Sequence, residues 1–300
     1  MENTFSYKNI NFKSGKNTLK GILFTPEKSN GKSLTIIGPV GYVKEQAPLL
    51  YGQNFASKGY TAIIFDATYH GESEGTPRRF ENGNQKAKDI IASIDFLNTL
   101  PQTNPSEIYG VGICQGINWM VKAANKDPRI KSISLVAGHY LDPEIAELYN
   151  GGKERLTILL EKSKKAKEAF LTKGEVDYIP IVGSIDEDAL LAAPIAYDWY
   201  MQWENNANGK GGKWENKITR MSILEIWGGN IKKDLQELKT PTLVIHSNKA
   251  ASGPLVPKRL FKEIAANNKK LVWYEDQVQF DFYEDENLID RVVNEIINLK

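Results

Sequence analysis

Three hundred residues suit one large α/β domain with an insertion, or two small domains, and can bury a sizeable core. Lysines and arginines number 38 against 37 acids, so the net charge of +1 gives no global field favouring nucleic acid, anionic membrane or acidic partners. Cys114 is the single cysteine, which excludes an intrachain disulfide and fits a reducing, cytoplasmic setting.

The opening residues carry no basic region followed by an apolar run, so no signal peptide is expected. TFSYKNINF and TLKGILFTP flank the turn-like SGKN and read as a hairpin-like start. SLTIIG (33–38) reads as a buried strand, too short to span a bilayer, running into a glycine-rich turn, GPVGY. Residues 44–58 have helical spacing through Leu49, Leu50 and Phe55, with Glu45 placed to cap that helix. TAIIFD (61–66) is a second buried strand, and the loop ATYHGESEGTPRR follows. Residues 84–99 are amphipathic, with Ile90, Ile91, Ile94 and Leu97 on one face. EIYGVGI (107–113) then runs straight into the helical CQGINWMVKAA, and SISLVAG (132–138) is another buried strand. Buried strands alternating with amphipathic helices predict a mostly parallel sheet covered on both faces.

Residues 140–239 hold no clear strand but several helical stretches, one at 154–171 through Leu156, Leu159, Leu160 and Phe170. The sheet resumes with PTLVIHS (241–247), a helix near 255–266, KLVWYE (270–275) and a final helix near 285–299. The predicted division is a core of 1–139 and 240–300 with a helical lid at 140–239.

Gly112-Ile113-Cys114-Gln115-Gly116 sits between a strand and a helix, the G-x-nucleophile-x-G elbow with cysteine in place of serine. Glycines flank such a nucleophile because neighbouring backbone passes too close for a Cβ. The helix that follows points its N-terminus at the site and favours a thiolate or an oxyanion. The alternative is a buried structural cysteine in a strand–helix turn.

These motifs, with VKEQAPLLYGQNFASKGYTAIIFDATYHGESEGTPR, YGVGICQGINWMVKAANKDPRIKSISLVAGHY, TPTLVIHSNKAA and VQFDFYE, resemble the α/β-hydrolases, and among them the bacterial dienelactone-hydrolase-like group. The resemblance covers most of the chain and implies an α/β-hydrolase fold with an oxyanion hole. One donor would be the backbone N–H of Gln115, the other that of Gly41 or Tyr42. The family's histidine normally follows the last strand, where this chain has Gln279. The family's acid normally follows the preceding strand, where this chain has Asn248. Neither amide can serve as a general base near neutral pH. Cysteine tolerates that loss better than serine, being partly ionised without help.

Three histidines remain. His139, after the strand that follows the elbow, is a candidate base or a hinge at the lid's start. His246 reads as a core histidine and His70 as part of a common turn. Asp276 and Asp281 are carboxylate alternatives, or solvated and capping groups. Arg78 and Arg79 would bind a substrate carboxylate or form structural ion pairs. Neither the histidines nor the lone cysteine make a metal-ligand spacing, and no phosphate-binding motif is present, so no cofactor or metal is expected.

In the predicted lid, a helix over 188–204 would put Tyr197, Tyr200 and Met201 on one face and Trp199 and Trp203 on the next. These aromatics would either line a pocket for an apolar or aromatic acyl group or dock the lid. The expected function is acyl transfer or hydrolysis of an ester, lactone or thioester through Cys114. A cyclase or acyltransferase, and a ligand-binding pseudoenzyme, are the alternatives. The expected partner is a small-molecule substrate, with no nucleic acid and no membrane.

Overall fold

The computed structural model describes residues 4–206 and 208–298. Strands β1 (Phe5–Ser14) and β2 (Asn17–Pro26) form a hairpin with Ile10 opposite Gly21. The chain then alternates through β3 (Ser33–Ile37), α1 (Ala47–Ser57), β4 (Thr61–Phe65), α2 (Gly83–Leu97), β5 (Ile108–Ile113), α3 (Gly116–Ala124) and β6 (Ile130–Val136). Next come α4 (Pro143–Tyr149), α5 (Lys153–Lys173), β7 (Tyr178–Ile179), α6 (Pro194–Met201), β8 (Ile218–Thr219), α7 (Ser222–Ile226) and α8 (Lys232–Glu237). The last elements are β9 (Thr242–Lys249), α9 (Leu255–Glu263), β10 (Lys269–Val278), α10 (Asp281–Glu284) and α11 (Glu286–Ile297).

Eight strands make one sheet in the order β1-β2-β4-β3-β5-β6-β9-β10. Only β2 runs against its neighbours; β3, β4, β5, β6, β9 and β10 are parallel. Every residue of β3 and β4 is buried, as continuous apolar runs in a sheet covered on both faces require. Helix α2 starts at Asn82, whose side chain accepts from Gln85 N at 2.8 Å. Asp285 caps α11 in the same way and presents Leu288, Ile289, Val292 and Val293 to the core.

Three local expectations change. The helix expected over 188–204 is confined to Pro194–Met201, because proline opens a helix readily but lacks an N–H to continue one. Within 140–239, β7 and β8 pair antiparallel, with Tyr178 opposite Thr219. Two-residue strands are too short to show a period in sequence. Glu45 does not cap α1, whose N-cap is Gln46 without a side-chain bond. Its carboxylate instead meets Lys44 Nζ at 2.7 Å, and that ammonium also contacts buried Asp66 at 3.1 Å.

At the β5–α3 junction a Cβ on Gly116 would lie 2.6 Å from the Gly38 carbonyl oxygen and 2.7 Å from that of Ile37. On Gly112 it would meet the Ile117 Cα at 2.8 Å. Backbone presses on backbone at both sites, and neither side yields cheaply. Gly116→Ala is therefore expected to lower stability by roughly 1–3 kcal/mol, read as a lower denaturant midpoint; an unchanged midpoint would contradict this packing.

Candidate active site

Cys114 lies between β5 and α3 with φ +55°, a left-handed conformation uncommon for a side-chain-bearing residue. Its N–H is held by the Val136 carbonyl at 2.9 Å, which ties the turn to β6. The residue is buried and lines a mainly apolar cavity with Val40, His139, Tyr200, Phe280 and Tyr283. Burial pushes the thiol up to about 11. The Tyr283 hydroxyl and the backbones of Gln115, His139 and Val40 pull the other way. Desolvation wins, so the resting group near neutral pH is a thiol.

The loop after β3 brings Val40 to the cavity wall. The Gly41 N–H donates to buried Glu81 Oε2 at 3.0 Å and is not free for a substrate. Glu81 also accepts from Trp119 Nε1 at 3.2 Å and pairs with buried Lys86 at 2.5 Å. One carboxylate thus joins the loop to the helix that follows the nucleophile. Tyr42 is buried beneath, its hydroxyl donated to the Phe65 carbonyl at 2.9 Å. Nothing in the local sequence singles out Glu81, because apart from Lys86 its partners are distant in the chain.

Gln279 follows β10 directly and is bonded on both sides. Its Oε1 accepts from Ala251 N at 2.7 Å, and its Nε2 donates to the Ala137 carbonyl at 3.0 Å and to Tyr283 Oη at 2.8 Å. Asn248 is not in this cluster. It faces β10, donating to Glu275 and accepting from Trp273 Nε1 at 2.9 Å. The backbone of Ala251 takes the place expected for an acid. Tyr283 is the functional candidate that sequence reasoning missed. Its one signal is the spacing of four residues from Gln279, which one helical turn brings together.

His139 is buried on the cavity wall, with Trp227 at 5.1 Å and Tyr149 at 5.4 Å between ring centres. Its Nε2 has no partner, and burial lowers its pKa to about 4, so it is neutral near pH 7. Asn118 on α3 fixes the backbone around it, donating to the His139 carbonyl at 2.9 Å and accepting from Leu141 N at 3.1 Å. His246 is a core residue: its Nε2 lies 3.1 Å from the Gly138 oxygen and 3.0 Å from that of Ala251. His70 is buried, 3.6 Å from Glu81.

The remaining candidates lie outside the cavity. Asp276 is exposed and meets Lys249 at 3.0 Å; Asp281 accepts from Val278 N at 2.8 Å. Arg79 pairs with Glu215 at 2.7 Å, and Arg78 donates to the Ser73 and Gly71 carbonyls. Of the four aromatics expected on one helix, Tyr200 lines the cavity. Trp199 stacks on Phe280 at 5.2 Å and donates to Glu284 at 2.9 Å, and Trp203 packs beside it at 6.0 Å. Tyr197 is 45% exposed and away from the cavity, because the shorter helix turns it outward.

Residues 19–161 match the dienelactone hydrolase family. Over that segment the chain resembles the dienelactone hydrolases, and its fold is that of the α/β-hydrolases. It is similar to the uncharacterized protein YcjY of Escherichia coli, 30% identical over 195 residues that cover 63% of each chain. It is 28% identical to PA2218 of Pseudomonas aeruginosa over 89% of this chain and 73% of that one. The crystal structure of PA2218 superposes with a TM-score of 0.79 over 99% of this chain and 94% of its own, at 24% identity. The polyketide transferase grgF of a Penicillium species is 28% identical over 59% of this chain and 58% of its own. The α/β-hydrolase GrgF from Penicillium sp. superposes with a TM-score of 0.79 over 99% of both chains, at 21% identity. The chain thus spans roughly three fifths of YcjY and of grgF in sequence, and the structural likenesses speak to fold.

Two pH effects follow from burial. Alkylation of Cys114 by iodoacetamide in the folded protein is expected to rise about tenfold per pH unit from 7 to 10 and to level near pH 11. A plateau near pH 8 would instead mean an ionised, activated thiol. His139 is neutral in the fold but takes a proton near pH 6.5 once unfolded, so its contribution is complete above 6.5 and lost as pH falls toward 4. That loss is about 3 kcal/mol. His139→Phe should flatten the acid side of the stability curve by a similar amount, and an unaltered curve would count against it.

Proposed function

We propose that this protein moves acyl groups through Cys114, taking them from an ester, lactone or thioester as a hydrolase or acyltransferase. The observation that carries the reading is the thiol's position: a left-handed elbow on an apolar cavity, where the backbone N–H groups of Gln115 and Val40 favour the thiolate. Two such donors would stabilise the oxyanion of a tetrahedral adduct, commonly a large part of the rate enhancement. The apolar lining suits an apolar or aromatic acyl group. The printed name of grgF, a polyketide transferase, agrees with acyl chemistry.

In this reading residues 140–239 serve as the lid, with Tyr149, Leu191, Ile195 and Tyr200 over the cavity. His139, neutral and unpartnered, is the imidazole available to a substrate's polar group. A catalytic thiol also needs a reducing setting, which favours the cytoplasm. A purely ligand-binding role is less favoured, because binding alone has no use for a strained nucleophile turn.

The test is intact mass over time with a panel of activated esters and acyl thioesters. A single acyl adduct mapping to Cys114, absent in Cys114→Ala at an unchanged melting temperature, is the expected result. Turnover retained in Cys114→Ala would sink the proposal.

A further inference from the structure

Gln279 occupies the place of a triad histidine but can neither take nor release a proton near neutral pH. Its geometry still has a chemical consequence. By donating Nε2–H to Tyr283 Oη at 2.8 Å, it occupies a lone pair of the phenol and leaves the phenol's own proton directed elsewhere. The amide cannot swing away, because its oxygen is held by Ala251 N at 2.7 Å and its nitrogen also by the Ala137 carbonyl at 3.0 Å. Cys114 and Tyr283 line the same cavity, and the hydroxyl is among the groups that act on the thiol.

We propose that Tyr283, oriented by Gln279, carries the proton at Cys114 in place of the triad histidine, and that the site therefore favours acyl exchange between sulfur atoms over hydrolysis. This rests on the reading of Cys114 as the acyl-accepting nucleophile. In the first step the Cys114 Sγ–C bond forms and the C–S bond of the donor thioester breaks. The Sγ proton passes to Tyr283 Oη as the phenol's proton passes to the leaving sulfur. A free thiol departs, and Tyr283 ends neutral. An acceptor thiol runs the sequence backwards: its sulfur takes the acyl group, and its proton returns to Sγ through Tyr283.

No net charge need build on the phenol. That agrees with burial and the neighbouring Cys114, which hold its ionisation well above the usual tyrosine value. Water is a poor acceptor here. The same relay is open to it, but it holds its proton far more tightly than a thiol, with a pKa of about 15.7 against about 8.5. Tyr283 is thus a catalytic residue touching the reacting sulfur, and Gln279 is a positioning residue acting through it.

The experiment compares acylation of the wild type, Cys114→Ala, Tyr283→Phe and Gln279→Met by an octanoyl thioester of N-acetylcysteamine and by 4-nitrophenyl octanoate. The phenolate of the second donor leaves without needing a proton. Tyr283→Phe is expected to slow acylation by the thioester about 30-fold or more but by the nitrophenyl ester only about threefold. Gln279→Met should show the same selectivity in smaller measure. Equal losses with both donors, or none, would overturn the role of Tyr283. Adding N-acetylcysteamine should discharge the octanoyl adduct at least tenfold faster than water does, and discharge by water at the same rate would overturn the preference for sulfur. If no adduct forms on the wild type with either donor, the reading of Cys114 fails, and the proton-carrying role falls with it. Iodoacetamide then tests the hydrogen bond separately: Tyr283→Phe should slow Cys114 alkylation severalfold at pH 8, and an unchanged rate would exclude that bond as well.

Discussion

The close approach of two backbones at the β5–α3 junction is the constraint on which the site depends. Gly116 sits against the carbonyls of Gly38 and Ile37, leaving no room for a side chain. This contact forces the elbow and the loop after β3 together. It brings Cys114 and Val40 to the wall of one cavity. The parallel register of β3, β5 and β6 carries all three strand ends to the same edge of the sheet, where ligands bind in open α/β folds. The strain at Cys114 is offset by the Val136 bond and by burial of the surrounding core.

A second constraint keeps the loop after β3 in that position. Glu81 is fully buried, yet it is paired with Lys86 and bonded to Gly41 and Trp119. A buried charge is tolerated only when its partners are complete. The same carboxylate also commits the Gly41 N–H. Ser222 of α7 accepts from Glu81 N at 3.0 Å, so the segment between β6 and β9 is anchored to this cluster too.

Gln279 stands where the family resemblance leads one to expect a histidine, and its amide has no proton affinity near neutral pH. Its oxygen accepts from Ala251 N, and its nitrogen donates to the Ala137 carbonyl and to Tyr283. The thiol is meanwhile raised by burial rather than lowered by an ionic partner. An un-ionised thiol beside a neutral phenol differs from a thiolate–imidazolium pair in one respect: protons move along it without charges being made.

The parallel sheet and the strand–helix turn at Cys114 were legible in the sequence, because period, buried runs and spaced glycines are local signals that burial imposes on neighbouring residues. The long break between 140 and 239 was legible as a departure from that rhythm. Which side chains share the cavity was decided by the tertiary structure. Gly41 looked like an oxyanion donor until Glu81, 40 residues on, took its N–H. Asn248 looked like a triad member until the pairing of β9 with β10 turned it toward Trp273. Tyr197 and Tyr200 differ by three residues, yet one is exposed and the other lines the cavity, because Pro194 and the end of α6 set the helix length and its docked face. Local pattern reports what each segment must bury, whereas hydrogen-bond partners are assigned between segments, and only the packed chain makes that choice.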